Sequence, residues 1–253
     1  LGCENLLIID LSRHDNYRKL HVPGAVHLDY AQIVATRKPV LGLLPDHDTL
    51  QQRLSAAGIR AGAHVVAYDD EGGGRAARLL WTLETAGHSR YSLLNGGLHA
   101  WANEGHRFES TATPPQPGTF TVQHTEHALA RSDYIHSRLH DDHVCLLDVR
   151  SPDEYHGVKK LAQRGGHIPG AVNLEWTQAI DTARNLRLKP AAVLRAMLET
   201  IGATPQREVI VYCHSHHRSA HTWLVLKYLG YRAVRGYPGS WSDWGNQPSL
   251  PVA

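Results

Sequence analysis

Short apolar runs separated by longer amphipathic stretches recur along the chain. Leu7-Ile8-Ile9-Asp10, Val65-Val66-Ala67-Tyr68, Leu146-Leu147-Asp148 and Glu208-Val209-Ile210-Val211-Tyr212 are continuous and too short for helices. That is the pattern of strands covered on both faces. Residues 51–58, 193–200 and 219–229 carry the spacing of helices. Strands alternating with helices predict an α/β fold, a mainly parallel sheet flanked by helices, with ligands at the carboxyl ends of the strands.

The pattern occurs twice. His21-Val22-Pro23-Gly24-Ala25-Val26 returns as His167-Ile168-Pro169-Gly170-Ala171-Val172, and Gly96-Gly97-Leu98-His99-Ala100-Trp101 returns as Gly239-Ser240-Trp241-Ser242-Asp243-Trp244. The strand-like runs match in the same order, so duplication is the simplest account. Each copy is expected to form one domain, 1–109 and 126–253. Residues 110–125 then form a linker, extended where Thr and Pro crowd 110–118.

Composition narrows the class. At 253 residues and 42% hydrophobic, the chain suffices for one large domain or two compact ones. A net charge of +2 makes no strong field for nucleic acid or a membrane surface. No apolar run reaches the roughly 18 residues of a membrane span, and no secretory signal is visible. A cytoplasmic monomer is expected. The chain opens on Leu rather than Met, which leaves room for a segment upstream. The 19 histidines read mainly as a surface whose charge is sensitive to pH.

Three cysteines, Cys3, Cys145 and Cys213, share no repeated spacing, which argues against a disulfide framework. The absence of a C-x-x-C pair excludes a zinc ribbon and a thioredoxin motif. With neither metal-ligand spacing nor a nucleotide fingerprint, no metal or cofactor is expected. Cys145 lies within a strand-like run and reads as a small core residue. Cys3 carries no motif.

Cys213 differs. It follows a buried strand and begins Cys213-His214-Ser215-His216-His217-Arg218-Ser219, which feeds a helix. Backbone N–H groups in such a loop converge on one point, and the helix dipole adds positive potential. A thiol there ionises easily and an anion binds beside it. The first copy has Asp69 at this position, within Asp69-Asp70-Glu71-Gly72-Gly73-Gly74-Arg75. It lacks the thiol, its acids disfavour anions, and it is read as catalytically silent.

Asp148-Val149-Arg150 with Glu154-Tyr155, Gly166-His167-Ile168-Pro169-Gly170-Ala171, the cysteine loop and the stretch 236–244 together resemble the tandem two-domain rhodanese family of sulfurtransferases. The loop is most similar to that of bacterial thiosulfate sulfurtransferases with a His-His-Arg run. An aspartate in place of the first-domain cysteine also matches. The resemblance implies transfer of sulfane sulfur from thiosulfate to cyanide or a thiol through a persulfide on Cys213. Glu154 departs from the pattern, standing where animal members carry a substrate-binding arginine. Arg164 and Arg218 are the candidate replacements.

Residue by residue, Arg218 is read as an anchor for sulfonate oxygens, against a hydrogen bond to its own loop. His214, His216 and His217 are read as added charge or entrance lining, against simple exposure. Ser215 and Ser219 are read as hydrogen-bond donors, with helix capping the alternative for Ser219. Trp176 and Trp241 lie in loops that the fold can bring near the site, but core or rim packing is the favoured reading; Trp176 is kept as a substrate-binding candidate. Asp148, His167 and Asp243 are read as structural. Three other functions remain open: a 3-mercaptopyruvate sulfurtransferase, a cysteine phosphatase, and a persulfide carrier delivering sulfur to a protein partner. The phosphatase pattern needs five residues between cysteine and arginine, whereas only 214–217 separate Cys213 from Arg218.

Overall fold

A computed structural model of the chain describes residues 5–253, so Cys3 lies outside the described residues. The apolar runs are the central strands. Leu6–Asp10 pairs in parallel with Val26–His27 on one side and His64–Tyr68 on the other, and Tyr91–Leu93 adds in parallel beyond His64–Tyr68. The second half repeats the order with Val172–Asn173, Val144–Asp148, Glu208–Tyr212 and Val234–Gly236. Corresponding residues occupy corresponding registers: Asp10 faces Tyr68, and Asp148 faces Tyr212. The expected helices form at His47–Ala56, Ala191–Thr200 and Arg218–Tyr228, and Gly74–Thr85 is the first-half counterpart of the last.

The chain forms two compact units. One contains the described residues up to Val34, with Leu44–Thr125 and Ile180–Leu188; the other contains Ala35–Leu43, Glu126–Ala179 and Lys189–Ala253. Two segments thus depart from boundaries drawn on the sequence. Each is a small antiparallel pair, Ala35–Arg37 with Val40–Leu43, and Ile180–Asp181 with Arg187–Leu188. Strands this short carry little apolar periodicity, so their attachment is set by tertiary contacts rather than local pattern. Residues 110–125 contain no helix or strand and belong to the first unit, against which they pack: Phe120 and Val122 are buried, and the Phe120 N–H donates to Ser55 Oγ at 3.1 Å.

The duplicated His-x-Pro-Gly-Ala strings have the same structural task in both units. The Tyr212 hydroxyl accepts the Ile168 N–H at 3.1 Å, as Tyr68 accepts that of Val22 at 3.0 Å. His167 stacks on Tyr155, and His21 on Tyr17, with centroids 3.7 and 4.1 Å apart. In the second unit Tyr212, Tyr237, Trp241 and Trp244 build a core beneath the Cys213 loop. Arg150 is buried in it, paired with Asp148 at 2.5 Å and lying 4.5 Å over the Trp241 ring. Cys145 is a buried free thiol, pushed up by burial. Among the described residues no helix is long and apolar enough to cross a membrane, and no cluster of His, Cys, Asp and Glu has the form of a metal site.

Candidate active site

Glu208–Tyr212 is an interior strand, buried from Val209 onward, and ends directly at Cys213. Arg218–Tyr228 begins the following helix, so 213–217 must reverse the chain within one short loop. His216 makes that possible by adopting φ +55°, a conformation most side chains avoid. Its Nδ1 lies 2.7 Å from Ser219 Oγ, and the Ser219 hydroxyl donates to Cys213 Sγ at 3.4 Å. A hydroxyl has one proton, so with that proton on sulfur the His216 Nδ1 is the donor to Ser219.

The loop is closed from behind by the Gly239–Ser242 turn. The Cys213 N–H donates to Ser240 Oγ at 3.2 Å, and Trp241 N–H and Ser242 N–H donate to the carbonyls of Cys213 and His214, each at 3.0 Å. Ser240 holds φ +51° to do so, and its hydroxyl donates to Tyr237 O at 2.7 Å. Sequence reasoning missed Ser240. The available signal was its alignment with Gly97, which has φ +50° and leaves no space for a Cβ against Asp69 O.

Cys213 is 1% exposed. Burial by itself pushes its thiol up. The Arg218 charge, the Ser219 hydroxyl and the backbone N–H groups of Ser219 and Ser215 outweigh it and lower the pKa to about 7. Close to half the thiol is therefore ionised at neutral pH. A buried thiolate stabilised by fixed donors is a prepared nucleophile.

Arg218 is itself held. Its two terminal nitrogens meet the Glu154 carboxylate side by side at 2.7 and 2.8 Å. Glu154 is 3% exposed, and although burial pushes it up, Arg218 and the Ser151 N–H bring it down to about 2. Glu154 sits in a capping box with Ser151 at the start of Pro152–Tyr155. Reading Glu154 only as a departure from the family pattern overlooked this partnership, although the Ser-Pro-Asp-Glu spacing announces the cap. Arg218 therefore faces both the sulfur and a carboxylate, a geometry that the loop sequence alone did not convey.

The other candidates divide. His214, Ser215, His216 and His217 form the loop after Cys213, and Ser219 lies in the first turn of the helix; of these, Ser215 and Ser219 reach the Cys213 sulfur. Burial lowers the pKa of His214, which favours its neutral imidazole. Trp176 stands edge-on to His221 at 5.3 Å and tilted against His217 at 6.0 Å, flanking the helix start. Trp241 is core, its indole N–H on Arg164 O. Arg164 is a correction: its guanidinium donates to the carbonyls of Leu250, Trp244, Gly245 and Gln247. It fastens the C-terminal segment, so its donors are engaged there rather than presented to a substrate.

The Asp69 loop serves as an internal reference. Asp69 Oδ1 accepts the N–H groups of Glu71 and Gly73 at 3.0 and 2.8 Å, and Oδ2 accepts that of Ala76 at 3.0 Å. The loop thus converges its amides on the carboxyl group of its own first residue, whose pKa burial and the Glu71 charge push up. Gly72 and Gly73, at φ +94° and +101°, turn those amides inward. In each unit, then, backbone N–H groups of the turn after the central strand converge on the side chain of its first residue.

A family model described as "Rhodanese-like domain" matches residues 1–104 and 132–247. Thiosulfate sulfurtransferases of Pseudomonas aeruginosa and Azotobacter vinelandii are each 42% identical over 252 residues, covering 100% of this chain and 92% of theirs. A sulfur carrier protein, TtuD, of Thermus thermophilus is 33% identical over 92% of this chain and 85% of its own. Among solved structures, the anaerobic ergothioneine biosynthesis enzyme of Chlorobium limicola superposes with TM-score 0.88 at 22% identity. This chain spans 65% of that enzyme's length, and the likeness is one of fold.

Proposed function

Because the chain belongs to the rhodanese family, with a rhodanese-like domain in each half, we propose that it is a thiosulfate sulfurtransferase working through Cys213. One observation carries this reading: the buried Cys213 thiol, lowered to about 7, in a loop of donors with Arg218 alongside. The thiosulfate sulfurtransferases at 42% identity support the donor. The Cys213 thiolate attacks the outer sulfur of thiosulfate. A new S–S bond forms at Sγ, the S–S bond of thiosulfate breaks, and sulfite leaves with the electron pair. Cyanide, or a thiol as its thiolate, then attacks the outer sulfur of the persulfide and returns Cys213 to thiolate.

No residue must add or remove a proton in the first step, which suits a site of fixed donors without a general base. Arg218 and the loop amides stabilise the charge on sulfur throughout. Free thiols at Cys145 and Cys213 fit a reducing, cytoplasmic setting. Intact mass spectrometry tests the reading. Thiosulfate should add one sulfur atom to the wild type, cyanide should remove it, and Cys213→Ser should gain none. Sulfur gain by Cys213→Ser, or none by the wild type, overturns it.

The relative named a sulfur carrier protein favours a second reading, in which the persulfide passes to a protein. Rapid loading combined with slow turnover on every small acceptor would select it.

A further inference from the structure

The catalytic loop is contacted by a segment drawn from far earlier in the chain. The hairpin Ala35–Leu43 belongs to the same compact unit as Cys213. Its Leu41 N–H donates to Ser242 Oγ at 2.9 Å, and Ser242 N–H in turn holds the His214 carbonyl at 3.0 Å. The next residue, Gly42, has φ +74° and lies against the loop itself. A Cβ there would overlap the Ser215 carbonyl oxygen and come within 2.9 Å of Ser215 Cα. Glycine is thus required twice, by conformation and by space.

The Ser215–His216 peptide is trans, so with its carbonyl toward Gly42 its N–H points away from the hairpin. His216 follows at φ +55°, a strained conformation that persists only where its surroundings enforce it. Ser219 Oγ restrains the His216 ring on the other side. The Ser215 N–H, at the start of this stretch, is one of the donors on the Cys213 sulfur.

Resting on the sulfur-transfer function above, we propose that Gly42 is a positioning residue for catalysis: its close approach to Ser215 sets the peptide planes at the loop apex and so the amides that stabilise the Cys213 thiolate. The residue acts through the loop rather than on the donor, which separates it from a residue needed only for folding.

The test compares Gly42→Ala with Gly230→Ala. Gly230 has φ +86° in the same unit, with nothing near its missing Cβ, so its substitution carries the conformational cost without the collision. Iodoacetamide alkylation against pH gives the thiolate midpoint, and stopped-flow loading with thiosulfate gives the catalytic readout. Gly42→Ala should raise the midpoint by about one unit, the loss of one hydrogen bond to a charged group, and slow loading at pH 7 by up to about fivefold as the thiolate fraction falls. Gly230→Ala should keep both at wild-type values. A Gly42→Ala protein that is folded, with wild-type midpoint and loading, overturns the proposal. If Gly42→Ala does not fold, Ser242→Ala removes the Leu41 tie and should shift both readouts in the same direction; a folded Ser242→Ala with neither shifted also overturns it. A wild type that gains no sulfur overturns the function instead, and the alkylation midpoints still judge Gly42.

Discussion

Replacing Arg218 with alanine isolates the charge that opposes burial at Cys213. Arg218 heads the influences that lower this thiol, and burial alone would raise it. A guanidinium ~4 Å from sulfur is worth about 4 kcal/mol at an effective dielectric of 20, an upper bound near three pKa units. The variant also leaves the buried Glu154 carboxylate without its guanidinium partner. Allowing for water entering the vacated space, the midpoint should rise from about 7 by about two units. At pH 7 the thiolate fraction then falls from about one half to about one in a hundred.

The thiolate that remains is more basic and, with a Brønsted slope of about 0.45, roughly eightfold more nucleophilic. Iodoacetamide alkylation at pH 7 should therefore slow only about sixfold. Above pH ~8 the order reverses and the variant reacts faster. Thiosulfate loading should fall further, because the donor is an anion and loses its cation. The assay is the alkylation rate from pH 5 to 10 beside single-turnover loading. A variant midpoint still near that of the wild type would refute the electrostatic role of Arg218 and leave the loop amides as its source.

Other perturbations have definite signs. Glu154 is held at about 2, below its ordinary value, so its pairing stabilises the fold above pH ~4.3, and this is lost as pH falls toward 2. Glu154→Gln should remove about 3 kcal/mol of that acid-side dependence in urea titrations between pH 2 and 5; an unchanged slope would deny the pair a role in stability. Ser240→Ala removes the acceptor of the buried Cys213 N–H and should cost about 1–3 kcal/mol; Ser240→Gly loses the same oxygen but relieves φ +51°, so it should remain less stable than the wild type and be the milder of the two. Arg164→Ala should lower Tm by releasing the C-terminal carbonyls while KM for thiosulfate holds; a large KM rise would return Arg164 to the donor site.

The sequence by itself determined the elements and the chemistry. The apolar runs could only be buried strands, their repetition implied two equal sheets, and a cysteine between strand and helix implied an activated thiol. These features are local, because a strand end followed by a helix N-terminus brings amides together whatever surrounds it. Tertiary structure decided the partners. Glu154 and Arg218 stand far apart in sequence and meet only because two parallel strands, Val144–Asp148 and Glu208–Tyr212, end side by side. Arg164 had the right charge, but a coil of C-terminal carbonyls took its donors. Gly42 gave no signal at all: a glycine in a short hairpin acquires its constraint from the Ser215 carbonyl it faces, and that contact is written in the packing rather than in any local pattern.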